Sequence, residues 1–284
     1  MKTVKSSSVP PEGDLARIRE VQALAYRCAE EVASELRPGI TEKQAAARLG
    51  RFLTESGVED WFHVPFAWFG DRTTLQNFRN PFKFFPTRRP LEEGMPFILD
   101  VAPVRDGFTA DIGYSGCLGE NAVFTQMMSD LAEYRTLILD EVNAGTRLND
   151  IYRAVDRLAA KHGYIPAHQA YPGKVLAHQV WAVRQPGPRT VVAGFGNRSL
   201  RALARSLIVS IGEGWSPLWN GGRRSEHPPV VGLWAIEPHL GFGDVGVKFE
   251  ELLVVTEEGA HWLDDDLPHV RRWTGASSQK AVSA

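Results

Sequence analysis

Residues 96–116 read Pro96-Phe97-Ile98-Leu99-Asp100-Val101-Ala102-Pro103-Val104-Arg105-Asp106-Gly107-Phe108-Thr109-Ala110-Asp111-Ile112-Gly113-Tyr114-Ser115-Gly116. Two apolar runs flank Asp106-Gly107, and Asp-Gly between strand-like runs signals a tight hairpin, because glycine tolerates positive φ. A two-residue loop there sets Arg105 opposite Phe108 and Ala102 opposite Asp111. Asp100 lies two residues from Ala102 and shares its face. Asp100 and Asp111 are then diagonal neighbours on one sheet face, with backbones roughly 7–8 Å apart. Two carboxylates on an apolar hairpin repel and are costly to bury unpaired, and a divalent metal resolves both problems. The alternative is a pair of exposed polar positions on an edge hairpin.

A second hairpin repeats the pattern. Residues 233–256 carry Ile236-Glu237-Pro238 before Gly243-Asp244, and Val247-Lys248-Phe249-Glu250-Glu251 after it. A turn at Gly243-Asp244 sets Phe242 opposite Val245 and Glu237 opposite Glu250. Like charges directly opposite destabilise a sheet unless something positive sits between them. Pro238 cannot donate to a ladder, so the strand should bend or bulge there.

With both hairpins in hand, the chain resembles the pita-bread metallopeptidases: methionine aminopeptidase, aminopeptidase P, prolidase and creatinase. Those proteins carry an Asp in a Leu-Ile-Asp strand and a second Asp at the spacing of Asp100 to Asp111. A histidine ligand follows, then a Glu in Ile-Glu-Pro and a Glu in Val-Arg-Ile-Glu-Asp. The resemblance runs from about residue 14 to 262. It implies an α+β pita-bread fold, with pseudo-two-fold halves around a curved antiparallel sheet. It also implies a short, bacterial-type member lacking the N-terminal creatinase-like domain. Residues 1–12 are then a flexible arm, 13–274 one catalytic domain, and 275–284 a disordered tail.

Local signals fit that frame. Leu15, Ile18, Val21, Leu24, Cys28, Val32 and Leu36 recur at helical spacing. Thr41-Glu42-Lys43-Gln44 is a capping box opening a second helix that stops at Gly57. Residues 61–90 are aromatic and proline-rich, and read as irregular strands and a loop entering the cleft. Residues 123–143 form a helix, and Asn149 caps another that ends at Gly163. A long helix, a Gly-Thr type turn, a second helix and a glycine stop thus occur twice, a weak internal repeat. Residues 198–211 read as helical. Gly194-Phe195-Gly196 lacks the strand-to-helix context of a phosphate loop.

The chain has 284 residues, 43% of them hydrophobic, enough for a sizeable core, and a formal charge of −2 that points to neither nucleic acid nor membrane. No apolar run approaches the roughly 20 residues of a membrane helix, and the N-terminus lacks a signal-peptide core. With two cysteines and no disulfide framework, the expected setting is cytoplasmic and the candidate assembly a homodimer.

By resemblance, Asp100, Asp111, His178, Glu237 and Glu250 bind two divalent ions, with Mn, Fe, Co and Zn all compatible with oxygen donors and one imidazole. His178, in Val175-Leu176-Ala177-His178-Gln179-Val180, is preferred to His168, although the family's flanking glycines are absent. Two ions about 3.5–4 Å apart can share a water and lower its pKa. Glu237 is the expected proton shuttle. His227, in Glu226-His227-Pro228-Pro229, resembles a family histidine that stabilises the intermediate, with the His–Glu order reversed. Trp219, Arg223 and Arg224 are the expected substrate contacts, the arginines for a carboxylate. The family's histidine upstream of the first Asp is missing: that place holds Phe82-Lys83, and the nearest earlier histidine is His63. The expected activity is hydrolysis of a peptide or small amide bond, of Xaa-Pro type. The alternatives are a creatinase-like enzyme acting on a small amino-acid or amidine metabolite, and a catalytically silent binding module.

Overall fold

The computed structural model describes residues 9–78, 80–183, 187 and 189–282. The first half of the chain contains α1 (Glu12–Glu35), α2 (Glu42–Glu55), β1 (Asp60–Phe69), β2 (Pro96–Arg105), β3 (Phe108–Thr109) and β4 (Ile112–Cys117). Next come α3 (Ala122–Asn143), α4 (Leu148–His162), β5 (Ile165–Pro166), β6 (Ala177–Val180), β7 (Val191–Val192) and β8 (Phe195–Gly196). The remainder is α5 (Asn197–Glu213), β9 (Leu218–Trp219), β10 (Gly232–Ile236), β11 (His239–Phe242), β12 (Val245–Lys248), β13 (Glu251–Val255), β14 (Ala260–Trp262) and α6 (Pro268–Val282).

Both hairpins take the register read from their turns. Asp106 and Gly107 have φ of 53° and 78°, the pair of positive values that a type I′ turn requires. Arg105 pairs with Phe108, and β2 continues against β4 with Asp100 opposite Gly113. The same register puts Asp111 across from Ala102. In the second hairpin Phe242 pairs with Val245 and His239 with Lys248, and β10 then pairs β13 from Ile236 opposite Glu251. The register does not slip between these two ladders, so Glu237 lies across from Glu250. The ladder is broken at that point because Pro238 has no N–H to give. Glu250 bridges instead to Gly113 of the first hairpin.

That bridge joins the two halves. One sheet has the order β3-β2-β1-β8-β7 with β4 also on β2, a second β14-β13-β10-β6-β9, and a third β12-β11-β5. The curved antiparallel sheet thus comes as three antiparallel pieces. α1 and α2 pack with β2 in one core, built from residues such as Leu49, Leu53, Leu99 and Val101. α3 and α4 pack with β10 and β12 in another, around Leu131, Ile151, Trp234 and Val247.

The Thr41–Gln44 capping box forms as read, with the side chain of each bonded to the other's backbone N–H. Gly163 closes α4 at φ 76°. Asn149 does not cap α4: the helix starts at Leu148, and Arg147 holds the cap position with no side-chain bond. The 61–90 stretch is more regular than expected, opening with the ten residues of β1. The loop at 215–224 contains the short strand β9. The backbone of α6 runs through Val282, where a disordered tail from 275 was expected. Residues 1–8 of the expected arm lie outside the described residues.

Glu42 ties the first half together. It is fully buried and accepts hydrogen bonds from Phe69 N, Arg72 Nε, Thr87 N and Thr87 Oγ1. It thereby fixes the end of β1 and the segment leading into β2. Glu42→Ala leaves the part-buried Arg72 Nε and two backbone donors without their acceptor, while Arg72 Nη2 keeps Lys83 O and Phe85 O. We expect a loss of about 3–5 kcal/mol in urea unfolding, against about 1 kcal/mol for Thr41→Ala at the neighbouring cap.

Candidate metal centre

Sheet pairing explains how distant residues meet. Ala102 is flanked by Asp111 in the first hairpin and by His63 of β1; directly opposed residues share a face. β1 is irregular on both sides of His63, between Trp61 and His63 and between His63 and Phe66. These shifts turn the ring onto the face that carries Asp100. On the other half, β6 pairs β10 with His178 opposite Ala235, and Glu237, two residues on, shares that face. Glu237 N donates to Leu176 O at 2.9 Å, holding the end of the strand in line. Asp100, Asp111, His178, Glu237, Glu250 and His63 are all buried.

The donor atoms fall into two groups that share Asp111. His63, Asp100 and Asp111 each bring one ligand-type atom within 4.8 Å of the others, as do Asp111, His178 and Glu250. His63 Nε2 lies 3.0 Å from both Asp100 Oδ1 and Asp111 Oδ1. His178 Nε2 lies 3.2 Å from Asp111 Oδ2 and 4.0 Å from Glu250 Oε1. Both imidazoles donate Nδ1–H to a backbone carbonyl, Val64 O at 2.9 Å and Gln179 O at 3.3 Å. That contact turns Nε2 toward the carboxylates, the arrangement by which a metal-binding histidine is oriented. Phe66 stacks on His63 and Phe62 on His178, both at 5.0 Å between ring centroids, limiting rotation of the rings. The oxygen-rich set with imidazole fits Mn, Fe, Co or Zn.

Lys248 is the unexpected member. Its side chain is completely buried, and Nζ donates to Asp100 Oδ2 at 2.8 Å, Glu250 Oε2 at 2.8 Å and Glu237 Oε2 at 3.0 Å. Tyr171 OH is a fourth partner at 3.0 Å. The hydroxyl donates in turn to His239 Nδ1 at 2.9 Å, and His239 Nε2 donates to Thr73 O at 2.6 Å. Gly113 makes room for the lysine stem: a Cβ there would sit 2.4 Å from Lys248 Cε.

Protonation follows from this crowding. Burial opposes charge on His63, but Asp111 and Asp100 outweigh it and hold its pKa well above the ordinary imidazole value. His178 is raised in the same way, by Asp111 against burial. Asp111 is held low despite burial by the two histidines. Glu250 is pushed well up, first by burial and then by Asp111 and Glu237. Burial and then Lys248 lower His239 to about 3, so it is neutral and accepts from Tyr171.

Five of the expected residues, Asp100, Asp111, His178, Glu237 and Glu250, line one cavity of about 340 Å³ together with His63. The rest of the lining is largely aromatic, with Phe66, Trp68, Phe84, Phe85 and Phe195. Trp219, Arg223, Arg224 and His227 are absent from its described lining. His227 Nε2 accepts from Ser216 N at 3.2 Å and its Nδ1 donates to Pro228 O at 2.8 Å, so both ring nitrogens are committed to backbone. Trp219 is buried with Trp234 in the second core, its Nε1 donating to Leu148 O. Arg223 and Arg224 sit exposed on a 3₁₀ turn. The loop that carries them folds onto α4, where Leu148 N donates to His227 O at 3.0 Å, and Leu218 is the loop residue that reaches the cavity. The structure therefore does not bring these four to the cavity. His168, the rejected ligand, is buried against Asp156 at 3.1 Å.

The family model described as Metallopeptidase family M24 matches residues 16–257. The chain belongs to this family. Among solved M24-like folds, the X-Pro aminopeptidase of Thermotoga maritima aligns at TM-score 0.67 and 19% identity, over 92% of this chain and 63% of that one. The prolidase of Pyrococcus furiosus aligns at 0.65 and 16%, over 92% and 64%. A dipeptidase of Mycobacterium ulcerans aligns at 0.64 and 20%, over 95% and 61%. An uncharacterized peptidase of Staphylococcus aureus is 21% identical over 158 residues, which are 55% of this chain and 43% of that protein. The chain thus spans under half of that relative and somewhat under two thirds of the three structural neighbours.

Asp111 belongs to both donor groups, so Asp111→Asn should weaken Mn²⁺ binding more than loss of an outer partner does, by at least about 100-fold. His227→Gln should leave that affinity unchanged. Calorimetric titration of the two variants beside wild type checks both.

Proposed function

We propose that this chain is a divalent-metal-dependent hydrolase that cleaves a peptide or small amide bond, of Xaa-Pro type, beside an apolar residue. The observation that carries the reading is the single cavity whose described lining combines buried carboxylates and imidazoles with a set of aromatic rings. Family membership and the peptidase names of its structural neighbours support it.

Asp111, His178, Glu250, Asp100 and His63 are the residues that would hold the metal. A divalent ion held there would supply Lewis acidity, lowering the pKa of water and polarising a carbonyl. The chain's own groups do the remainder. Glu237 lines the cavity beside the donor groups without belonging to either, which suits a carboxylate that moves a proton between water and leaving amine. The aromatic part of the lining excludes water and takes an apolar side chain. No described arginine or lysine lines the cavity, so a free carboxylate finds no partner there. The donors retained around Asp111 favour catalysis over the silent binding module. The four carboxylates were the ground for expecting two ions, and Lys248 already supplies one positive charge against them. The two free cysteines, Cys28 and Cys117, accord with a reducing, cytoplasmic setting.

Two outcomes test the reading on Mn²⁺-loaded protein. Glu237→Gln should lower kcat by about 10²–10⁴-fold while metal content stays at the wild-type level. In a dipeptide panel, replacing an apolar residue by Asp at the position facing the rings should lower kcat/KM by at least about 100-fold. Full turnover by Glu237→Gln would remove the proton-transfer role, and indifference to Asp would remove the apolar specificity.

A further inference from the structure

We propose that Lys248 is a built-in cation occupying one end of the carboxylate cluster, so that the site loads a single divalent ion, at the Asp111 end, instead of two. The inference rests on the metal-dependent reading above and specifies the ion count of that same site.

The geometry of the ammonium carries it. Lys248 Nζ has three N–H donors and four oxygen neighbours at 2.8–3.0 Å: Asp100 Oδ2, Glu250 Oε2, Glu237 Oε2 and Tyr171 OH. Three of the four acidic side chains therefore have one oxygen committed to the lysine. A pair of ions needs those same carboxylates to chelate or to bridge through both oxygens. The oxygens left for a metal are clustered around Asp111, where Asp100 Oδ1, Asp111 Oδ1 and Oδ2, and Glu250 Oε1 face the two imidazoles.

The lysine is held there from every side. Ser115 Oγ donates to Lys248 O at 2.7 Å and accepts from Lys248 N at 2.8 Å, fixing its backbone. The stem crosses Gly113 at a distance no Cβ would permit. The ammonium lies 5.1 Å from the Tyr171 ring centroid, and the Tyr171 hydroxyl is anchored through His239 to Thr73 O. A second divalent ion placed among the same oxygens would either meet the ammonium at close range or have to expel a side chain with no accessible surface. Its affinity is reduced accordingly.

The test counts ions on the full chain, with Mn²⁺ as the only probe. Metal-free protein is titrated calorimetrically, desalted and measured for manganese, and its electron paramagnetic resonance spectrum is recorded. Wild type should retain one Mn²⁺ per chain and give the six-line spectrum of an isolated ion. Lys248→Met keeps the length of the stem without the charge. It should retain two, bind the second about 100-fold or more tightly than wild type does, and show the broadened spectrum of a coupled pair. Two ions and a coupled spectrum in wild type would overturn the inference while leaving the metal-dependent reading intact. So would one ion in both proteins, because the lysine would then not be what limits the count. No bound Mn²⁺ in wild type would overturn both. If Lys248→Met does not fold, Lys248→Gln, which also removes the charge, takes its place with the same expected and overturning outcomes.

Discussion

Asp100, Asp111, Glu237 and Glu250 are buried together, and that concentration of like charge is the constraint on which the rest of the structure depends. Four carboxylates out of water repel one another and lose their hydration, which they tolerate only when positive partners are fixed among them. The protein supplies Lys248 from inside, and His63 and His178 from the cavity side. Much of the surrounding architecture keeps these groups in place. The two hairpins deliver the acids, the Gly113–Glu250 bridge locks the hairpins together, and Ser115 and Tyr171 hold the lysine. The halves of the fold are joined at this cluster, so the site and the fold share their cohesion.

What could be read from residues alone follows the range of the forces involved. Turn chemistry and the two-residue period of a strand are local, and they set both hairpin registers, including the inward choice of Glu250 over Glu251. Glu251 faces the other way, toward Arg135 and His269. The capping box at Thr41 and the glycine stop at Gly163 are equally local. His63 was named as the nearest upstream histidine but could not be placed, because its position depends on irregularities in β1 and on pairing with β2. Lys248 stood in view, at the position where the family stretch carries arginine. Its meaning emerged only when the break at Pro238 and the small Gly113 showed where the stem runs. Trp219, Arg223, Arg224 and His227, all on the loop at 215–229, lie outside the described cavity lining for a related reason. The end of that loop leads to Glu237, but its body is claimed by α4 through tertiary hydrogen bonds that no short pattern encodes.

The cavity brings two sets of residues together. The acids, His63 and His178 form its polar part, and Phe66, Trp68, Phe84, Phe85 and Phe195 its aromatic part. Lys248 lies buried behind the acids. A cavity lined by rings beside carboxylates sorts substrates by their apolar part, and a lysine tied to three of the acids governs how much positive charge the cluster still needs. Specificity and metal demand are thus set by different residues around one cavity.

The most direct test of this account is an anomalous difference map from crystals of the full chain grown with Mn²⁺. The account predicts a peak in coordinating reach of Asp111 and His178, with Lys248 Nζ still against Asp100, Glu237 and Glu250. Absence of a peak at Asp111, or a second ion in place of the Lys248 ammonium, would contradict it.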